Sequence, residues 1–213
     1  MARFRATTIK AAHGALGDAA EAWAELEEQE SLRTYGFRHG IAHLLACDRP
    51  PAAESLLTDF AYGMARLESE SGAGARVLSQ DATATLNVAS TTADFDLWEA
   101  FFRERVHLLL HGSDEWGAHK ILLQLAVEHA DDSPLTLAAE AWLDEGHCDW
   151  LWLRRARRAK EAKPSACLRV FEGHTSVVEG AIELAGGRLL SWSQDNTLRL
   201  WNVKTGESLA TLE

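Results

Sequence analysis

Over roughly the first two thirds of the chain, apolar residues recur at three- and four-residue steps, and this spacing predicts helices. Thr8 to Glu30 reads as one helix rich in Ala and Glu. A second follows after Ser31 and runs to Cys47, with Leu32, Tyr35, Ile41, Leu44 and Leu45 on a broad apolar side. Pro50-Pro51 stops it, because proline lacks the helical N–H and restricts the residue before it. Pro51 suits the first turn of the next helix, where Ala53, Leu56, Leu57, Phe60, Met64 and Leu67 form an amphipathic stripe. Ser71-Gly72-Ala73-Gly74 predicts a break, with a weaker helix from Arg76 to Asn87 beyond it. Asp94 is placed to cap a helix carrying Phe95, Trp98, Phe102, Val106, Leu109 and Leu110, closed by Gly112. Asp114 begins another, with Ala118, Ile121, Leu122 and Leu125. Ser133-Pro134 opens the last, and Gly146 ends it. Short loops favour antiparallel neighbours, so the expectation for 1–149 is a stack of helical hairpins.

The pattern changes after about Trp150. Apolar residues now fall in short runs: Cys167 to Phe171, Val177 to Leu184, Arg188 to Trp192 and Thr197 to Val203. Turn signals separate them at Gly173-His174, Gly186-Gly187, Gln194-Asp195-Asn196 and Lys204-Thr205-Gly206. In Leu198-Arg199-Leu200-Trp201 polar and apolar residues alternate, as in a half-buried strand. A β-meander is expected, and residues 168–213 have the length of one propeller blade. The expected organisation is a helical arm (1–149), a basic linker (150–167) and a single four-stranded antiparallel blade (168–213).

Composition narrows the classes. The 213 residues carry 32 acidic and 21 basic side chains, a net charge of -11, which argues against general nucleic-acid binding. No apolar run approaches the ~18 residues of a membrane span, and no secretory apolar segment follows Met1-Ala2-Arg3-Phe4-Arg5. The three cysteines, Cys47, Cys148 and Cys167, are too few and too scattered for a disulfide framework or a zinc ribbon. A cytoplasmic protein is expected, binding neither membrane nor nucleic acid. One segment departs from the acidity: from Arg154 to Lys163, Arg154, Arg155, Arg157, Arg158, Lys160 and Lys163 face Glu161 alone. Such a run reads first as a solvated linker with acidic neighbours to lean on. Trp150 and Trp152 flank Leu151 just before it and share a face if the segment is extended. They either pack the helical part against the blade or, beside the arginines, form a docking patch.

The β segment resembles one WD repeat. Phe171-Glu172-Gly173-His174 is followed by Leu189-Leu190-Ser191-Trp192-Ser193-Gln194-Asp195-Asn196-Thr197-Leu198-Arg199-Leu200-Trp201-Asn202. Asn202 stands where the family's Trp-Asp pair has its aspartate. The resemblance implies a buried hydrogen-bonded tetrad of His174, Ser191, Asp195 and Trp201 that holds the blade together and catalyses nothing. The helical part carries a second resemblance. Tyr35-Gly36-Phe37-Arg38-His39-Gly40-Ile41-Ala42-His43-Leu44 and Ala53-Glu54-Ser55-Leu56-Leu57-Thr58-Asp59-Phe60 are similar to the helical arm of bacterial STAND-type signalling ATPases, relatives of the apoptotic protease-activating factor. In that family a nucleotide-binding domain, helical segments and a propeller sensor follow one another. The chain departs from it in having no Gly-x-x-x-x-Gly-Lys-Ser/Thr, so the phosphate cradle and its lysine are missing and no ATPase is expected here.

Other chemistry finds little support. His39/His43 and His107/His111 each have the i, i+4 spacing of a zinc helix, with His119 as a further ligand type. The Glu of His-Glu-x-x-His is absent from both, which favours packed or rim histidines. His147-Cys148-Asp149 are consecutive and cannot readily converge on one ion. Gly-x-Ser-x-Gly is absent, and Cys47 has no evident partner. The expected protein is therefore a non-catalytic, cofactor-free regulatory or scaffolding fragment. Its partners would be proteins: the remaining propeller blades or another chain. A stand-alone helical-repeat adaptor is the alternative, and a histidine-based metal enzyme the third.

Overall fold

The structure, a computed structural model, describes residues 2–162 and 169–213. Lys163 of the basic run, Cys167 and the expected start of the blade at Leu168 lie outside the described residues. The chain divides into two units, Met1–Ser165 and Ala166–Glu213.

The first unit is helical: α1 (Ala2–Glu21), a 3-10 turn (Trp23–Leu26), α2 (Glu30–Ala46), α3 (Pro50–Leu57), α4 (Phe60–Val88), α5 (Ala93–Leu109), α6 (Ala118–Val127) and α7 (Pro134–Asp144). Proline sits in the first turn of α3 and of α7, where a missing N–H costs no hydrogen bond. The long first helix expected to reach Glu30 ends at Glu21 and tightens into the 3-10 turn. The stripe from Ala53 to Leu67 is interrupted at Thr58-Asp59. There the Asp59 carboxylate accepts from the N–H groups of Ala61 and Tyr62, at 2.9 and 3.2 Å, and starts a new helix. The cap of α5 is Thr92, whose Oγ1 accepts from the Phe95 N–H at 3.2 Å, rather than Asp94. α6 begins at Ala118, and Asp114 stays in the preceding loop.

The break expected at Ser71–Gly74 takes the form of a bend. α4 is helical throughout its 29 residues, and a straight helix of that length spans about 43 Å. Yet Thr92, just beyond its end, donates through Oγ1 to Glu54 of α3 at 2.5 Å. Arg66 also reaches Asp81 (Nη2 to Oδ2, 2.7 Å), which a straight helix would place about 22 Å away. The helix must therefore turn back between these residues. At Gly74 a Cβ would stand 3.1 Å from both the Arg66 carbonyl oxygen and the Glu70 Cβ, so a side chain here would crowd the turn.

One apolar core fills this unit, with Phe37, Ile41 and Leu44 of α2, Leu67 and Leu78 of α4, Phe95, Phe101 and Phe102 of α5, and Leu122 and Leu123 of α6 all buried. α1 lies close on α2: a Cβ on Gly40 would approach the Ala20 Cβ to 2.3 Å.

The second unit is an open four-stranded antiparallel sheet of β1 (Val178–Leu184), β2 (Arg188–Ser193), β3 (Leu198–Asn202) and β4 (Ser208–Leu212), in sequence order. Positive φ at Gly186 and Gly187 turns β1 into β2, and Asn196 and Gly206 supply the same conformation at the next two turns. Leu189 pairs with Trp201 and Ser191 with Arg199, so these four side chains lie on one face. Among the described residues of this unit, Trp201 is the buried apolar side chain. Val178, Ile182, Leu209 and Leu212 remain exposed. No helix among the described residues is long and apolar enough to cross a membrane.

Candidate functional site

The sheet brings His174, Ser191, Asp195 and Trp201 together. β2 carries Ser191 and β3 carries Trp201, in diagonal positions across the Leu189–Trp201 pair. His174 comes from the loop before β1, and Asp195 from the turn joining β2 to β3. The Trp201 indole N–H donates to Ser191 Oγ at 2.8 Å. The serine hydroxyl then donates to His174 Nε2 at 2.7 Å, and Nδ1–H donates to Asp195 Oδ2 at 2.9 Å. Bond polarity assigns this tautomer, because indole can only donate and an ionised carboxylate can only accept. Every polar atom in the chain of contacts has a partner of the right kind.

Asp195 has further donors. Thr175 N–H bonds Oδ2 at 2.8 Å, while Thr197 bonds Oδ1 through its N–H at 3.0 Å and its hydroxyl at 2.7 Å. Burial pushes the Asp195 carboxyl up, but the bonds from Thr197, Thr175 and His174 outweigh it and hold the group well below the ordinary carboxylate range. Sequence reasoning missed both threonines. The available signal was Asp195-Asn196-Thr197, the spacing at which an aspartate bonds the backbone two residues on. Phe171, at the start of the Phe-Glu-Gly-His match, packs edge-on against Trp201 with centroids 5.7 Å apart.

Asp195, His174 and Ser191 form, in atom order, the relay of a serine hydrolase. Its surroundings are different. Ser191 is 5% exposed and Trp201 1%, so a substrate carbonyl has no approach to Oγ. The oxygen that would attack already accepts the indole N–H. What this arrangement does is tie β2, β3, their turn and the Gly173-His174 loop into one polar knot.

The basic segment is docked on α6 and α7. Gln124 holds the Leu153 backbone from both sides, its amide donating to the carbonyl at 2.7 Å and its oxygen accepting the N–H at 2.9 Å. Arg155 pairs with Glu128 at 2.8 Å and Arg154 with Glu140 at 3.3 Å. Arg158 is a strut: it meets Asp131 at 2.5 Å, Glu140 at 2.9 Å and the Val127 carbonyl at 2.7 Å. Backbone bonds Asp131 N–H to Ala159 O (2.8 Å) and Asp132 N–H to Lys160 O (3.2 Å) complete the strap. Trp150 and Trp152 share a face, as the alternation implies, and it packs on the helical core. Leu151 and Leu153 point outward instead, 91% and 77% exposed. Farther along the strap opens a cavity of about 620 Å3 lined by Asp131, Arg154, Arg155, Ala156, Arg157, Arg158 and Lys160.

The histidines scatter among different environments. His43 Nδ1 lies 2.6 Å from His13 Nδ1, with Tyr35 Oη 2.9 Å from its Nε2, and the His39 ring is tilted against Tyr35. Burial, then the neighbouring His13 and His39, lower the His43 pKa. His107 and His111 are exposed, and His119 packs edge-on to Trp150. His147 pairs with Glu145 at 3.0 Å, while the Cys148 thiol donates to the Trp150 carbonyl. Cys47 donates through its thiol to the Lys10 carbonyl. Among the described residues no three His, Cys, Asp or Glu side chains are grouped to hold a metal ion. No protein-family model matches the chain.

Proposed function

We propose that this chain is a non-catalytic regulatory or scaffolding fragment that acts by binding protein, a helical arm joined to the opening blade of a WD-repeat propeller. The observation that carries the reading is the bonded sequence Asp195–His174–Ser191–Trp201 inside a four-stranded antiparallel meander. A buried polar knot with every member satisfied serves architecture, and its serine is closed to substrate. The helical segments before it favour a STAND-type signalling context, in which the propeller senses a ligand and the arm passes the event on. The coding sequence around residues 1–213 tests this. It should hold further Gly-His and Trp-Asp repeats downstream and a Gly-x-x-x-x-Gly-Lys-Ser/Thr upstream. If neither is found, the context is wrong.

One observation favours a second reading. The helical unit has its own continuous core, as a stand-alone helical adaptor would. That protein would carry the sheet as an appendage, and its coding sequence would contain no repeats after Glu213.

A further inference from the structure

Of the five described cations on the strap, three are held by acids. Glu128, Asp131 and Glu140 engage Arg154, Arg155 and Arg158. Arg157 and Lys160 line the same cavity, both exposed, and no hydrogen bond or ion pair among the described residues occupies either side chain. The two sit at one mouth in a chain of net charge -11. Leu151 and Leu153 stand exposed on the same short segment, which Gln124 fixes in place from behind.

We infer that this strap is a docking site for an acidic, extended segment of a partner protein, with carboxylates meeting Arg157 and Lys160 and apolar side chains covering Leu151 and Leu153. Charge complementarity selects this occupant. The rest of the molecule is strongly acidic and repels such a segment, so the strap is where an acidic peptide gains rather than loses by approaching. The leucines add what a bare anion site lacks, an apolar contact that water leaves on binding. The geometry is prepared in advance: the ion pairs of Arg155 and Arg158 and the Gln124 clamp hold the segment, so little ordering remains to be done on association. This inference rests on reading the chain as a protein-binding module, but not on the identity of the sheet.

Fluorescence anisotropy of the full chain with a short labelled peptide alternating Glu and Leu, at low ionic strength, tests it. The comparison peptides replace Glu by Gln or Leu by Ser. The expected result is saturable binding of the Glu-Leu peptide alone. Affinity should fall roughly tenfold in Arg157→Gln/Lys160→Gln and measurably in Leu151→Ser/Leu153→Ser. It should be unchanged in Arg76→Gln/Lys204→Gln, which removes two exposed cations elsewhere. An equal loss in that control would mean general electrostatics and overturn the site. So would equal binding of the Glu-Ser peptide, full displacement by inorganic phosphate, or sedimentation showing that the peptide only disperses pairs of this chain. No binding of any peptide would overturn it as well. None of these failures bears on the repeats sought in the flanking coding sequence.

Discussion

At Ser191 a single oxygen serves two neighbours, and removing it leaves two buried donors or acceptors unmatched. Ser191→Ala strips the Trp201 indole N–H of its acceptor and His174 Nε2 of its donor. The expected cost is about 1–3 kcal/mol, read as a lower urea midpoint for the Trp201 indole N–H signal in NMR. An unchanged midpoint would show that water satisfies both groups. His43 makes a second residue-scale prediction. Its pKa lies below the ordinary 6.5, through burial and then His13 and His39, so the unfolded chain takes up that proton before the folded one. Its contribution to stability is present above about pH 6.5 and declines as the pH falls from there toward the folded pKa. His43→Gln should flatten the pH dependence of the thermal midpoint between roughly pH 5 and 7. The same acid sensitivity in the variant would assign it to other groups.

Among the elements, the bend of α4 concentrates the greatest electrostatic risk. Arg66 is fully buried, with Nη2 on Asp81 and with Nε and Nη1 lacking a hydrogen-bond partner. Burial raises the Asp81 carboxyl against the pull of Arg66. It also pushes the phenol of Tyr62, below the same guanidinium, up to about 12. Asp81→Ala would strand a buried cation and destabilise the helical unit by about 3–5 kcal/mol. Arg66→Met/Asp81→Leu should recover most of that loss, because no charge is left to desolvate. Urea unfolding followed by helical circular dichroism distinguishes the two; equal destabilisation would mean that the pair matters for shape rather than charge. The glycines at 72 and 74 made this bend legible as a break, but not its direction, which depends on a partner 15 residues on. Prolines at 50 and 134 and Gly146 marked helix ends because their backbone chemistry acts locally. Thr58-Asp59 went unread because Leu57 and Phe60, apolar on either side, continue the stripe through the cap. Period-two alternation placed Trp150 and Trp152 on one face, yet could not say which surface that face meets. The grouping of His174, Ser191, Asp195 and Trp201 was what the resemblance to a WD repeat implied. The donor Thr197 lay two residues beyond Asp195, a local signal, whereas Thr175, 20 residues away in sequence, follows only from the folded sheet.

On the scale of the whole molecule, the two units hold themselves together by different means. The helical unit buries large side chains from α2 through α7 around one core, so opening it exposes much apolar surface at about 25 cal/mol per Å2. In the sheet unit, Trp201, Ser191 and Ser193 are the buried residues among those described, while Val178, Ile182, Leu209 and Leu212 lie open. Its sheet order leaves β1 and β4 as edges, each with a row of backbone groups that no neighbouring strand in this sheet bonds. Few buried contacts and open edges place a region at the low end of local stability. Amides from Val178 to Leu212 should therefore exchange with solvent far faster than those of α4 to α6, measured by segment-resolved hydrogen–deuterium exchange on a monodisperse sample. Residues 189, 191, 199 and 201, whose amides bond between the two inner strands, should be the slowest of the set. A second chain or further strands laid along β1 or β4 would slow the edges first and the centre last. Equal protection of sheet and helices in a strictly monomeric sample would show that the polar knot around Asp195 stabilises the sheet far more than its small core allows.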